Sequence, residues 1–145
     1  MRALGIDLGS KRIGVATSDR SGTIATPLTV LQRSGSRETD YRAISELVSE
    51  YEIECVVVGL PLHMNGTHGD AAKSAVAEVQ QLTSVLSVPV LTFDERRTTV
   101  TADSILMEQN MNAQERRKVI DKVAAAVMLQ SWLDGQKMTE TPSRD

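Results

Sequence analysis

Apolar and polar positions along the 145-residue chain change period several times, and each change marks an element. ALGIDL, ending at Asp7 and Leu8, is a short apolar run, and RIGVATSD alternates weakly, with Ile13, Val15 and Thr17 on one face. Gly9-Ser10-Lys11 between them supplies turn chemistry, so the two runs read as an antiparallel hairpin. A second turn at Ser21-Gly22 leads to a third strand near Leu28 to Leu31. The period then becomes helical from about Arg37 to Tyr51, where Tyr41, Ile44, Leu47, Val48 and Tyr51 recur on one stripe. Cys55 to Leu60 is a continuous apolar run, as expected of a strand buried on both faces. The glycine-rich LHMNGTHGD loop precedes a helix of about Ala71 to Leu86, and Val88 to Phe93 reads as another buried strand ending at Asp94-Glu95-Arg96-Arg97. Two helical stretches follow, near Val100–Gln109 and Ala113–Leu133.

Three strands followed by helix, strand, helix, strand and helix predict an α/β chain. A meander feeding right-handed crossovers gives a mixed sheet with the first strand near its centre and helices on both faces. The length suits one domain, residues 1–135, and the polar segment 136–145 is expected to be a disordered tail.

Composition narrows the class. Hydrophobic residues are 41% and charged residues 24%, ordinary for a globular chain, while aromatics at 3% leave the core to aliphatic side chains. MRALGIDLGSKR has no apolar run long enough for a signal peptide or membrane span, and the lone Cys55 fits a reducing compartment, so a cytoplasmic location with no membrane contact is expected. Asn65-Gly66-Thr67 matches a glycosylation sequon that is idle there. The net charge of −3 argues against coating nucleic acid through bulk charge, yet leaves room for a nuclease, whose metal-binding carboxylates make the count negative.

In such a sheet the first, fourth and fifth strands run parallel, and ligands bind at their carboxyl edge. Asp7, the GLPLHMNG loop and Asp94-Glu95 all fall there. With strand four between strands one and five, the two acidic ends are roughly 9–10 Å apart, suited to sharing metal ions rather than a direct hydrogen bond. Asp121 extends the stripe of Ala125, Met128 and Trp132 and can lean over the same edge. Oxygen ligands alone point to magnesium, with manganese as the alternative. Singly, each acid has a plain explanation: a turn for Asp7, a cap or pairing with Arg96 or Arg97 for Asp94 or Glu95, a helix acid for Asp121. Their joint placement favours the metal. Lys11, Arg12, Arg96 and Arg97, and Arg116-Arg117-Lys118 with Lys122, are candidate phosphate contacts, although a solvated helix face explains the last group as well. His63 and His68 lie in the glycine-rich loop, where either could meet substrate or metal, although ordinary loop exposure is the plainer reading.

GIDLGSKRIGVATSD, VVGLPLHMNG, FDERRTT and DKVAAAVMLQSWL together resemble the YqgF family, also called RuvX, over roughly Arg2 to Leu133. These are small bacterial relatives of the Holliday-junction resolvases. The resemblance implies an RNase H-like fold, strand order 3-2-1-4-5, and a nuclease that matures the 5′ end of pre-16S ribosomal RNA. It places the family's acids on Asp7, Glu95 and Asp121, choosing Glu95 where spacing alone left Asp94 open. The family loop commonly reads Asn-Met-Asp-Gly; here it is His63-Met64-Asn65-Gly66, and no ligand is assigned to it. The expected mechanism uses two metal ions, with Lys11, Arg12, Arg96 and Arg97 on the substrate phosphates. Two other readings stand beside it: a non-catalytic RNA-binding ribosome-assembly factor, and a resolvase of four-way DNA, which would favour a homodimer. Asp7-Leu8-Gly9 through Gly14 also resembles the phosphate loop of the actin and sugar-kinase ATPases, but those hold nucleotide between two such domains and this chain has the length of one.

Overall fold

The computed structural model describes residues 1–62, 65–98 and 102–140, with the side chains of 102–104 and 137–140 left aside. Five strands form one sheet in the order β3-β2-β1-β4-β5, the order expected. They are β1 (Ala3–Leu8), β2 (Arg12–Ser18), β3 (Ala25–Gln32), β4 (Cys55–Leu60) and β5 (Val90–Asp94). β1 pairs antiparallel with β2 and parallel with β4, and β4 pairs parallel with β5. Helices α1 (Arg37–Glu50) and α2 (Asp70–Val85) follow β3 and β4; α3 (Ala102–Glu108) and α4 (Ala113–Glu140) close the chain.

Alternation along the central strands sorts the core into two layers of different texture. Leu4 and Ile6 of β1, Ile13 and Val15 of β2, and Val56 and Val58 of β4 pack with Ile44 and Val48 of α1 and Leu82 of α2. The opposite face carries smaller residues: Ala3, Ala16, Cys55 and Val57 meet Ala125, Ala126, Leu129 and Trp132 of α4. Small residues let α4 lie close on the sheet, and at Gly5 an added Cβ would stand 2.9 Å from the Cβ of Leu129. The weak alternation of β2 thereby finds its cause, since both faces of this strand are covered.

Several boundaries moved. β3 begins at Ala25 rather than near Leu28 and includes Pro27, a residue that only an edge strand accommodates. β5 begins at Val90, after Pro89 has given its carbonyl to the Val56 N–H. Ser36 starts α1 by accepting a hydrogen bond from the Thr39 N–H. α4 continues to Glu140, so residues 136–140 are helical where a disordered tail was expected. Extending an established helix adds one hydrogen bond per residue fixed, and Gln, Lys and Met propagate it well. Residues 141–145 lie outside the described residues, as do 99–101 at the expected start of α3. Among the described residues no helix is long and apolar enough to cross a membrane.

Candidate active site

The carboxyl edge of β1, β4 and β5 is built around two side chains that are missing. Asp7 is the register partner of Gly14 on β2, and it lies on the α4 face because Gly5 does. A Cβ at Gly14 would collide with the backbone carbonyl of Asp121, so α4 rests directly on that glycine and brings Asp121 beside Asp7. On the other flank β1 and β4 pair as far as Ile6 and Val58, which sets Gly59 level with Asp7. A Cβ at Gly59 would stand 2.6 Å from Oε1 of Glu95, so the Glu95 side chain lies across Gly59. Strand β5 ends at Asp94, and Glu95–Arg97 form a single 3-10 turn that aims Glu95 inward. Asp7 thus stands between two glycines, with Asp121 over one and Glu95 over the other.

Electrostatics separates the neighbouring acids Asp94 and Glu95. The Asp94 carboxylate accepts from the Arg96 N–H at 3.0 Å and from Arg96 Nε at 2.9 Å, and this bonding to Arg96 holds it below the usual carboxylate range. Burial, then the charges of Asp7 and Asp94, push Glu95 up to about 7. Asp7 is pushed up to about 6 by burial and by the charge of Asp121. Among the described residues no hydrogen bond contributes to either shift. Asp94 is a cap paired with a cation, then, whereas burial and neighbouring acids push Asp7 and Glu95 toward their neutral forms, with no cation answering them among the described residues.

The expected cations have mixed placements. Arg12 donates from Nε to Oδ2 of Asp121 at 2.8 Å, so in this arrangement it pairs with an acid. Arg96 pairs with Asp94 and also approaches the loop, where a Cβ at Gly66 would lie 3.4 Å from its Nη1. Arg97 lies over the Phe93 ring, 5.6 Å from its centroid. Lys11 is exposed at the tip of the β1–β2 turn. His68 is exposed; His63 and Met64 lie outside the described residues. Among the described residues no three His, Cys, Asp or Glu side chains stand close enough to hold a metal ion together. Asp7, Glu95 and Asp121 are therefore adjacent and electrostatically coupled, without being drawn into one cage.

A family model described as RuvX, Holliday junction resolvase, matches residues 1–135. The chain belongs to the RuvX family. Among its relatives, proteins from Thermoanaerobacter pseudethanolicus (44% identical, covering 94% of this chain and 99% of the relative) and Caldanaerobacter subterraneus subsp. tengcongensis (48%, with the same coverage) carry the name "Putative pre-16S rRNA nuclease". A relative from Listeria innocua, 45% identical over 92% of this chain and 98% of its own length, carries the same name. Among solved structures, Thermus thermophilus RuvC in complex with a Holliday junction superposes with a TM-score of 0.62 at 17% identity, covering 96% of this chain and 97% of that one. That likeness fixes the fold of this RuvX chain as RNase H-like, as the sequence motifs implied. The signal that sequence reasoning passed over was the pair of glycines: Gly14 and Gly59 sit inside apolar strands, where glycine marks a close approach of another group.

Proposed function

We propose that this RuvX-family chain is a metal-dependent nuclease that trims the 5′ end of precursor 16S ribosomal RNA. The observation that carries the reading is the glycine-flanked Asp7 with Glu95 and Asp121 on either side, two of these acids raised by burial and mutual repulsion. Collecting like charges beside a phosphodiester opposes binding unless a cation joins them. An all-carboxylate donor set suits a hard divalent ion, magnesium or manganese. Asp7, Glu95 and Asp121 would hold it, with Asp121 exchanging Arg12 for the ion.

Divalent metal, when bound, lowers the pKa of water and offsets charge on the leaving oxygen. The chain's own residues do the rest. Asp7 and Glu95 must be ionised to bind the cation, so metal affinity should rise with pH through their metal-free values of about 6 and 7, and saturating metal should move the rise in activity to lower pH. Arg12, released from Asp121, reaches a phosphate oxygen of the substrate beside Lys11 at the same turn, and the 3-10 turn presents Arg96 and Arg97 on the other flank. Partial burial of the acids strengthens these charge interactions relative to open water.

The names of the 44% and 48% identical relatives support precursor rRNA as substrate. A second reading, cleavage of four-way DNA, is favoured by the RuvC fold and would require two copies of the chain on one junction. The test is incubation of the protein and of Asp7→Asn with labelled 5′-extended 16S precursor and, in parallel, a four-way junction, with magnesium or with EDTA. Magnesium-dependent cleavage of the precursor by wild type alone is expected. Cleavage of the junction only would move the substrate assignment. RNA binding without cleavage, indifferent to magnesium and to Asp7, would make this an assembly factor.

A further inference from the structure

Beneath the β1–β2 turn, on the face away from α4, lies a buried polar network that the proposed chemistry does not use. Arg33, the residue after β3, donates from Nη1 and Nη2 to the two carboxylate oxygens of Glu78 at 2.9 and 2.8 Å. Its Nε donates to the carbonyl of Gly9 at 2.8 Å, and its backbone N–H to the carbonyl of Lys11 at 2.9 Å. Tyr41 of α1 donates its hydroxyl to the same Glu78 at 2.6 Å. The side chains of Arg33 and Glu78 are 16% and 4% exposed. Burial pushes the Glu78 carboxyl up, but the bonds from Arg33 and Tyr41 outweigh it and hold the group below its ordinary value.

A buried ion pair is an inefficient way to stabilise a core, since apolar residues of similar volume do as well or better. What it supplies is direction. The guanidinium is a planar fork, and once Glu78 has fixed two of its nitrogens the third has one place to point. That place is Gly9, two residues beyond Asp7. The N–H of Gly9 in turn bonds the carbonyl of Arg12 at 2.9 Å, and Arg12 is the partner of Asp121. A chain of contacts therefore runs from α1 and α2, through Arg33, to the turn that joins Asp7 to Arg12.

We infer that Arg33, oriented by Glu78 and Tyr41, is a positioning residue that holds the β1–β2 turn where Asp7 and Arg12 meet Glu95 and Asp121. The inference rests on the metal-site reading above for its catalytic consequence, and on hydrogen bonds alone for the hold itself. Two variants separate it from a merely structural role. Arg33→Met/Glu78→Met removes both charges together and leaves neither buried alone. Arg33→Lys keeps a cation beside Glu78, but an ammonium lacks the fixed fork that also serves Gly9.

Amide hydrogen exchange read over residues 8–12, with core strand amides as the internal reference, is expected to quicken about tenfold or more in both variants, the scale of one lost charge-assisted hydrogen bond. Manganese affinity, measured by calorimetry, should weaken, and kcat for precursor RNA should fall more than KM changes, while core exchange stays as in wild type. Should the double variant fail to fold, Arg33→Lys decides alone. Turn exchange equal to wild type overturns the positioning role whatever the metal does. Faster turn exchange with unaltered manganese affinity and kcat overturns it as well. Absence of manganese binding by wild type would instead sink the metal reading, and the exchange comparison would still judge Arg33.

Discussion

Asp7→Asn removes a carboxylate that the fold ionises at a cost, so the variant should be more stable than wild type at alkaline pH when no metal is present. Burial and the charge of Asp121 move Asp7 from 3.8 to about 6. Roughly two pKa units at about 1.4 kcal/mol each set a ceiling near 3 kcal/mol. Residual solvent access and relaxation reduce the usable amount to about 1–2 kcal/mol, or a rise in Tm of about 3–8 °C for a domain of this size. The folded chain binds this proton more tightly than the unfolded chain does. Its contribution is therefore fully present below about pH 4 and is lost as pH rises through about 6. The advantage of Asp7→Asn should accordingly be small near pH 4 and complete by about pH 8. Urea unfolding in EDTA at these two pH values, read by far-UV circular dichroism, measures it directly. A variant no more stable than wild type at pH 8, or one whose advantage is independent of pH, would refute the claim that Asp7 is held as a strained carboxylate. Added magnesium should reverse the ranking, because only wild type gains binding energy from the ion.

Gly59→Ala should cost under about 1 kcal/mol in urea unfolding, because its Cβ meets the movable end of Glu95, yet cleavage should drop at least tenfold as that carboxylate is displaced. Gly14→Ala meets the backbone of Asp121 instead and should cost about 2–3 kcal/mol or more, with loss of folding as its extreme. Equal stabilities for these two variants would contradict the proposed seating of α4. Arg12→Ala breaks a half-exposed ion pair, so unfolding should change by less than about 1 kcal/mol, while manganese affinity rises and KM for RNA increases.

The sheet was readable because its central strands are unambiguous: CVVVGL tolerates only burial on both faces, and Asp7 at the end of an apolar run stands out against it. Asp121 was reachable through the stripe it shares with Ala125, Met128 and Trp132, all buried here. The choice between Asp94 and Glu95 was not reachable by spacing, since it depends on which acid the 3-10 turn hands to Arg96. Nor was the Arg12–Asp121 pair, whose members are 109 residues apart and meet only because α4 settles on Gly14. The Arg33–Glu78 pair stayed hidden for a related reason. A glutamate on α2, at a position that helical periodicity assigns to the core, looks like an interruption until its partner after β3 is known.

The small-residue face of the sheet has a further consequence for how such a chain can diversify. Two of the three acids stand on regular structure, Asp7 on a strand and Asp121 on a helix, and the third is held in a one-turn extension of β5. None is suspended from the long loop between β4 and α2. Sequence drift in that loop, including a departure such as His63-Met64-Asn65-Gly66, therefore changes no residue that carries one of the three acids. The spacing of the three carboxylates is written instead in the places where the backbone has no side chain, Gly14 and Gly59.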